Sequence, residues 1–223
     1  MNNKSLNKVK KIGLIGSNQN FSNQLELNDY KVFQYGRNTN PSIDFNSSNI
    51  HEMIMKVINS EDIDRYIILS GFLQSKKITE QNREEINKSI FINSIGPILF
   101  SEYLLRNKPN ARLIIIGSES GFKGSYDLTY GLSKSSIRMY VKQKKVKENQ
   151  QILLISPSTI EDFGMTERRE DKDRLSTYRQ NHPKKRFLYS KELSTLIINL
   201  FNSTNFLTNE EINLNGGKFS LME

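Results

Sequence analysis

The chain has no cysteine and only two histidines among its 223 residues. Without a thiol there is no disulfide, no thiolate nucleophile and no cysteine-bound metal. The histidines, His51 and His182, stand far apart in the sequence and do not suggest a zinc site. Thiol chemistry is therefore excluded, and metal chemistry is a poor first hypothesis for function.

Long hydrophobic runs are absent as well. No apolar stretch approaches the roughly 18 residues that indicate a membrane-spanning helix. Residues 1–6 lack the hydrophobic centre of a secretory signal. We therefore expect a cytoplasmic protein without a membrane partner. The length favours one domain, with a polar tail at 1–10 and a single folded unit at 11–223.

The chain has a positive balance of charge. Thirty-two lysines and arginines face 24 acidic residues, which gives a formal net charge of +8. Nucleic-acid binding would be favoured by a basic stripe with interleaved aromatic residues, but acidic residues interrupt the basic segment at 168–186. A solvated surface, or a positive rim that attracts an anionic cofactor or substrate, explains the charge better. We expect no nucleic-acid partner, although nucleic-acid binding is a third candidate function.

Apolar segments of strand length alternate with segments of helical periodicity, and this pattern predicts an α/β protein. The continuously apolar segment at 113–116 indicates a parallel sheet covered on both faces. Gly96 and Pro97 predict a bend in a long helix, because proline cannot donate a backbone hydrogen bond. The predicted strands are 11–16, 30–35, 43–45, 65–70, 111–117, 151–155 and 212–214, and the predicted helices are 21–27, 50–58, 82–106, 129–147 and 190–202.

Four residues with roles in turns or chemistry follow directly after predicted strands. They are Gly16, Gly71, Ser118 and Pro157. Ligands of open parallel sheets bind outside the carboxyl ends of the strands. We therefore expect these residues to line one crevice.

Tyr130 and Lys134 are the most informative pair in the chain. Their spacing places both side chains on one face of a helix, and Ser118 ends the preceding strand. A nearby ammonium favours the phenolate form, so the pair can act as an acid or base closer to neutral pH. A phenol, an ammonium and a hydroxyl that converge form a proton-transfer set.

This set resembles that of the short-chain dehydrogenase/reductase family. Ser118, Tyr130 and Lys134 match its Ser and Tyr-x-x-x-Lys pattern in order, and Asn93 matches the asparagine that completes its catalytic tetrad. Residues 211–217 resemble the family's last strand with its Gly-Gly ending. The match runs from about residue 11 to residue 217.

The resemblance implies a single Rossmann-type domain with a doubly wound parallel sheet of about seven strands. It also implies an oxidoreductase that uses NAD(P). Tyr130 would be the general acid or base, and Lys134 would tune it and bind the nicotinamide ribose. Ser118 would orient the substrate carbonyl, with Ser120 as a nearby rival, and Asn93 would hold a water that links Lys134 to solvent.

The cofactor half of the family pattern is eroded. The family opens with Thr-Gly-x-x-x-Gly-x-Gly, whereas here Gly16 is kept and Asn20 and Ser22 replace the later glycines. The family's Asn-Asn-Ala-Gly has lost both asparagines and keeps Gly71. Ser158 stands where the family has glycine after Pro157. We expect weaker cofactor binding than the fold normally gives.

A basic residue after the second strand favours the 2′-phosphate of NADP over the free ribose of NAD. Arg37 occupies that position, so NADP is the expected cofactor, with NAD as the alternative. Asp44 matches the acidic residue that the family uses near the adenine. The candidate cofactor-binding residues are Gly16, Asn18, Phe21, Arg37, Asp44, Gly71, Tyr130, Lys134, Pro157, Ile160 and Thr166.

Residues 161–187 are the expected substrate lid, and this segment is rich in arginine and poor in apolar residues. A polar or anionic substrate, such as a sugar, nucleotide sugar or carboxylate, fits it better than a lipid. The resemblance also implies a homodimer or homotetramer that pairs through the helices at 82–106 and 129–147. The main alternative is a degenerate protein of the same fold that binds a ligand or partner without efficient catalysis.

Overall fold

The computed structural model describes residues 9–16, 27, 30–74, 76–162 and 172–222. Within these residues six parallel strands form one sheet in the order β2-β1-β3-β4-β5-β6. The strands are β1 Lys10–Ile15, β2 Tyr30–Tyr35, β3 Arg65–Ile68, β4 Arg112–Ile116, β5 Gln151–Pro157 and β6 Glu210–Leu214. Nearly all of the predicted helix at 21–27 lies outside the described residues, as do Asn18, Phe21 and Thr166.

The apolar strands are buried on both faces, as their continuous hydrophobicity predicts. In β4, Leu113 and Ile115 belong to one hydrophobic cluster, whereas Ile114 and Ile116 belong to the other. Alternate side chains of a strand point to opposite faces of the sheet. The sheet therefore separates two cores, and each core needs a layer of helices.

Helices cover both cores. The first core packs against α1, α3 and α5, and the second packs against α7. The helices are α1 Ile50–Ser60, α2 Arg83–Ile90, α3 Gly96–Asn107, α4 Ser120–Lys123, α5 Leu128–Gln143, α6 Lys172–Asn181 and α7 Ser190–Asn202. None of these helices is long and apolar enough to cross a membrane.

The predicted strand at 43–45 is wrong, and this accounts for a sheet of six described strands where about seven were expected. Ile43 and Phe45 are buried in the first core, which explains their apolar character. Between them, Asp44 accepts hydrogen bonds from Asn46 N on its side chain and from Ser47 N on its carbonyl. This turn reverses the chain before it can pair with a neighbouring strand.

The bend predicted in the long helix is present. A π-helical turn at Phe91–Ile95 joins α2 to α3 directly before Pro97. Pro97 has no N–H to donate to the carbonyl of Asn93, so regular α-helical bonding cannot continue there. The turn places the buried Asn93 next to the carboxyl end of the sheet.

Candidate active site

The candidate site lies at the carboxyl ends of the strands, as the sequence predicts. Leu69 N donates to Ile15 O at 2.8 Å and Gly117 N donates to Ile155 O at 2.7 Å, so the segments after the strands continue side by side. Gly16, Gly71, Ser118 and Pro157 therefore follow strand ends on the same edge of the sheet. Helix α5 crosses this edge and presents Tyr130 and Lys134 to it.

Lys134 holds the ends of two strands together. Its Nζ donates to the carbonyl oxygens of Ser70 and Ile116, each at 3.2 Å. The side chain is 3% exposed, and this burial lowers the pKa of Lys134 to about 8. The amine is therefore a cation at neutral pH that can release its proton under mildly alkaline conditions.

Tyr130 is equally enclosed, at 4% exposure. Burial raises the pKa of Tyr130 to about 12, a side-chain hydrogen bond with Ser118 lowers it in part, and the charge of Asp127 raises it. The pKa of Tyr130 is thus raised, whereas the expectation that Lys134 favours the phenolate predicts a lowered pKa. Lys134 Nζ lies 5.8 Å from the centre of the tyrosine ring and donates to carbonyls instead. The structure thus holds Tyr130 as a neutral phenol, the form that can give a proton.

Ser118 is half-buried at the end of β4, and its Oγ accepts a hydrogen bond from Ser120 N at 3.1 Å. Its side chain lowers the pKa of the Tyr130 phenol in part, whereas Ser120 does not act on that group. Ser118 is therefore the better candidate of the two hydroxyls. Ser118, Tyr130 and Lys134 come together as the sequence predicts.

Asn93 joins the helix layer to the loop that follows β3. Its Oδ1 accepts from Phe72 N at 2.8 Å, and its Nδ2 donates to Phe72 O at 2.7 Å and to Ser89 Oγ at 3.2 Å. The side chain therefore fixes the position of the loop. The expected water between Asn93 and Lys134 stays a prediction.

Sequence reasoning missed Asp127, which is 1% exposed. Its Oδ1 accepts from Tyr130 N at 3.1 Å and from Gln81 Nε2 at 3.1 Å, and its Oδ2 accepts from Gln74 N at 2.8 Å. Gln81 Oε1 in turn accepts from Thr129 Oγ1 at 2.8 Å. An aspartate directly before a helix is a capping signal, and this signal could have identified it.

Glu119 was also missed, although it follows Ser118 directly. It is buried and forms ion pairs with Lys123 and with Lys218, the latter at 2.8 Å. Nearby, the rings of Phe122 and Phe219 pack edge to face. These contacts hold the segment after β6 against the loop that carries Ser118.

The described part of the cofactor half contains one glycine that the fold requires. Gly16 has φ +80°, and a Cβ there would lie 3.0 Å from the backbone N and Cα of Ser70. Such a contact leaves no room for a side chain, and positive φ favours glycine. The Oγ of Ser70 is buried and has no hydrogen-bond partner in the structure as described. The turn after β1 therefore approaches the end of β3 backbone to backbone.

The remaining cofactor candidates of the described residues lie at strand ends or in the loops beyond them. Gly71 is exposed in the loop after β3, and Arg37 is exposed in the turn after β2. Pro157 ends β5, and Ile160 forms an isolated parallel bridge with Leu188. Asp44 closes its own turn, as described above. Asn18, Phe21 and Thr166 are predictions that fall outside the described residues.

Comparisons with solved structures define the fold. A variant of ElxO with NADPH bound is 20% identical over 96% of this chain and 100% of that chain, with a TM-score of 0.81. A short-chain dehydrogenase/reductase of the glucose/ribitol dehydrogenase type from Brucella melitensis is 18% identical over 95% of this chain and 97% of its own, with a TM-score of 0.82. A short-chain dehydrogenase family protein from Francisella tularensis is 18% identical over 95% and 99%, with a TM-score of 0.77.

The chain therefore has the fold of the short-chain dehydrogenase/reductases. This confirms the predicted α/β class and the predicted resemblance at the level of the fold. No protein-family sequence model and no curated protein matches the chain.

Proposed function

We propose that the protein is an NADP(H)-dependent oxidoreductase that reduces a ketone or aldehyde on a polar or anionic small molecule. The observation that carries the proposal is the convergence of Ser118, Tyr130 and Lys134 at the carboxyl ends of the strands. The fold shared with ElxO, whose structures hold NADPH and NADP, supports the choice of cofactor.

The described residues fit a dinucleotide. Gly16 has φ +80° at the turn after β1, and its lack of a side chain lets this turn lie against Ser70 at the strand ends. Ser70 Oγ is a buried hydroxyl with no partner among the described residues. Arg37 is exposed after β2 and can form a charge-assisted hydrogen bond with a 2′-phosphate.

The chemistry assigned to this chain is a proton transfer. When bound, reduced nicotinamide supplies a hydride to the carbonyl carbon of the substrate. Tyr130 gives its phenolic proton to the carbonyl oxygen, and Ser118 donates a hydrogen bond to the negative charge that develops there. Lys134 donates to Ser70 O and Ile116 O, which fixes the strand ends beside the phenol, and it would also bind the nicotinamide ribose. The product is the alcohol.

The substrate lid at 161–187 and the single domain at 11–223 are part of this proposal. In the described part of the lid, Arg179 forms an ion pair with Glu161, and Lys184 and Lys185 are exposed. This charge supports a polar or anionic substrate. We also propose a homodimer or homotetramer, whereas the cytoplasmic location expected from the sequence stays a prediction.

The first test removes the proton of Tyr130. Tyr130→Phe should leave the fold intact and lower turnover by roughly 100-fold or more, since it deletes the acid that general acid catalysis requires. The measurement is NADPH oxidation with a carbonyl substrate found by screening, with circular dichroism as the check on folding. Activity within a few-fold of the wild type would remove Tyr130 from the mechanism.

The second test concerns the cofactor. Titration followed by nicotinamide fluorescence should show tighter binding of NADPH than of NADH. Arg37→Ala should weaken NADPH binding more than NADH binding, because it removes a contact to the 2′-phosphate. Lys31→Ala, which removes another exposed cation of the β2 segment, is the matched control. Equal weakening of both nucleotides by Arg37→Ala contradicts the NADP assignment, and binding of neither by the wild type favours the non-catalytic alternative.

A further inference from the structure

Three side chains of the helix layer bond to the backbone of the loop after β3, and the side chain of Gln74 in this loop donates to Glu85 O on α2 at 3.1 Å. Lys134 bonds to Ser70 O, Asn93 bonds to both the N–H and the carbonyl of Phe72, and Asp127 accepts from Gln74 N. Lys134 and Asn93 belong to the set that resembles the family pattern. Asp127 does not, yet it makes the last of the three attachments.

We propose that Asp127 is a positioning residue for Tyr130: its carboxylate joins the amino terminus of α5 to the loop after β3 and so fixes the phenol relative to the strand ends. This inference rests on the proposed function, because Tyr130 has a catalytic role only in the proposed oxidoreductase. Asp127 is not proposed to touch substrate or cofactor.

The two oxygens of the carboxylate have different tasks. Oδ1 caps α5 by accepting from Tyr130 N, whereas Oδ2 accepts from Gln74 N on the loop. Hydrogen bonds to a charged acceptor are about twice as strong as neutral ones. Asp127 is 1% exposed, and Gln74 is partly buried. Loss of the carboxylate would therefore leave the Gln74 amide without its charged partner and weaken the attachment of the loop to α5.

The side chain of Gln81 makes the attachment more rigid. Its Nε2 donates to Asp127 Oδ1 and to Lys76 O, while its Oε1 accepts from Thr129 Oγ1. Gln81 is itself buried. The end of the loop is thus tied to the first turn of α5 by side chains from both segments, and this turn contains Tyr130.

The charge of Asp127 also affects the phenol: burial raises the pKa of Tyr130, Ser118 lowers it in part, and the negative charge of Asp127 raises it further. Among the described residues, three groups lie near the phenol. They are Asp127 before α5, Lys134 one helical turn after Tyr130 on α5, and the hydroxyl of Ser118 after β4. Removing the carboxylate should therefore make Tyr130 ionise at lower pH.

Asp127→Asn separates these effects. It keeps one oxygen that can cap the helix, removes the charge, and places an –NH2 group, which cannot accept a hydrogen bond, opposite Gln74 N–H. With tyrosines labelled by carbon-13 at Cζ, the signal lost in Tyr130→Phe identifies Tyr130. At about pH 11, the wild-type phenol should be mostly neutral and that of Asp127→Asn more ionised. Amide exchange at Gln74 should also accelerate by roughly tenfold or more.

The control is Asp162→Asn, which makes the same substitution at a carboxylate that accepts from Ser190 N at 2.8 Å and from Ser190 Oγ at 2.7 Å at the start of α7. This variant should leave both Tyr130 ionisation and Gln74 exchange unchanged. If Asp127→Asn does not fold, Asp127→Ser, which retains a capping oxygen, carries the same two measurements.

An unshifted Tyr130 signal, or unchanged Gln74 exchange, in the folded variant overturns the proposal, as does an equal effect of Asp162→Asn. Neither readout requires turnover or a bound nucleotide. Failure of the proposed function, seen as no nicotinamide nucleotide binding to the wild type, is therefore distinguishable from failure of this inference.

Discussion

At the scale of single residues, burial sets the acid–base properties of the site more strongly than proximity does. The sequence places an ammonium and a phenol on one helix face, and this pairing predicts a lowered tyrosine pKa. In the structure both groups are buried, so desolvation raises the pKa of Tyr130 to about 12 and lowers that of Lys134 to about 8. Both shifts favour the neutral forms.

The pKa of Lys134 has a consequence for folding. An unfolded lysine has a pKa of about 10.4, so between about pH 8 and 10.4 the unfolded chain binds more protons than the folded chain. Stability therefore rises with pH in this window. Methionine does not titrate, so the stability of Lys134→Met lacks this pH-dependent contribution. From pH 7.5 to about pH 9.5, the free energy of unfolding of the wild type should therefore rise by about 2 kcal/mol relative to that of the variant. Urea denaturation at the two pH values measures the difference.

Lys142→Met is the matched control, because Lys142 is an exposed lysine on the same helix. Its stability difference from the wild type should change little over this pH range. If the difference between the wild type and Lys134→Met is constant with pH, Lys134 does not titrate in the folded state as its burial requires.

At the scale of elements, the sequence predicts a helix or strand correctly where neighbouring residues along the chain determine where it begins and ends. The strand at Tyr30–Tyr35 and the helix at Ser190–Asn202 have the bounds that the sequence predicts. The segment at 43–45 failed because an apolar pattern reports burial, whereas strand pairing depends on the tertiary path of the chain. Asp127 was missed for a related reason, since the capping signal is local but its loop partner Gln74 is not.

Packing of α3 against the segment at 43–45 gives a prediction at this scale. A Cβ at Gly96 would lie 2.3 Å from Cγ of Phe45, so the ring or the helix would have to move. Gly96→Ala should lower the free energy of unfolding by about 1–3 kcal/mol, as overpacked core substitutions do. Thermal or urea unfolding measures this loss.

Gly131→Ala in α5 is the internal comparison. Its Cβ would meet Ser125 Cβ at 3.4 Å, which requires far less movement than the contact at Gly96. Because alanine favours a helix interior over glycine by roughly 0.5–1 kcal/mol, this variant should be neutral or more stable. Equal losses in both variants would show that helix propensity or general crowding, and not the Phe45 contact, sets the effect.

At the scale of the whole molecule, the order of elements predicted an α/β protein with a parallel sheet, whereas the Rossmann-type doubly wound fold was implied by the family resemblance. Alternation of strands and helices requires parallel pairing with crossovers, and the carboxyl ends of the strands then collect the site. The order of elements does not predict how well the cofactor half of the site is kept relative to the catalytic half. Gly16 is explained by its approach to Ser70, a contact between segments that lie far apart in the sequence.

The surface of the helix layer supports the proposed homodimer or homotetramer. Not every apolar residue of the predicted pairing helix at 129–147 is available for this, since Ile137 is fully buried in the first core. Other apolar side chains of α5 are exposed, namely Leu128, Leu132 at 58% and Met139 at 66%. Phe91 and Ile95, on the π-helical turn that packs against α5, are exposed as well.

These side chains form a surface that a second copy of the chain could cover, and a combined substitution tests it. Leu132 and Met139 are seven residues apart on α5 and so share a face. Leu132→Asp with Met139→Asp should convert the wild-type dimer or tetramer to a smaller species, because charge buried without a partner opposes association. Light scattering gives the mass, and NADPH fluorescence shows whether the fold of the site is kept.

Tyr178→Asp, which changes an exposed aromatic residue on α6, is the control and should leave the mass unchanged. A wild-type monomer at all concentrations, or a double variant with the wild-type mass, would contradict pairing through α5.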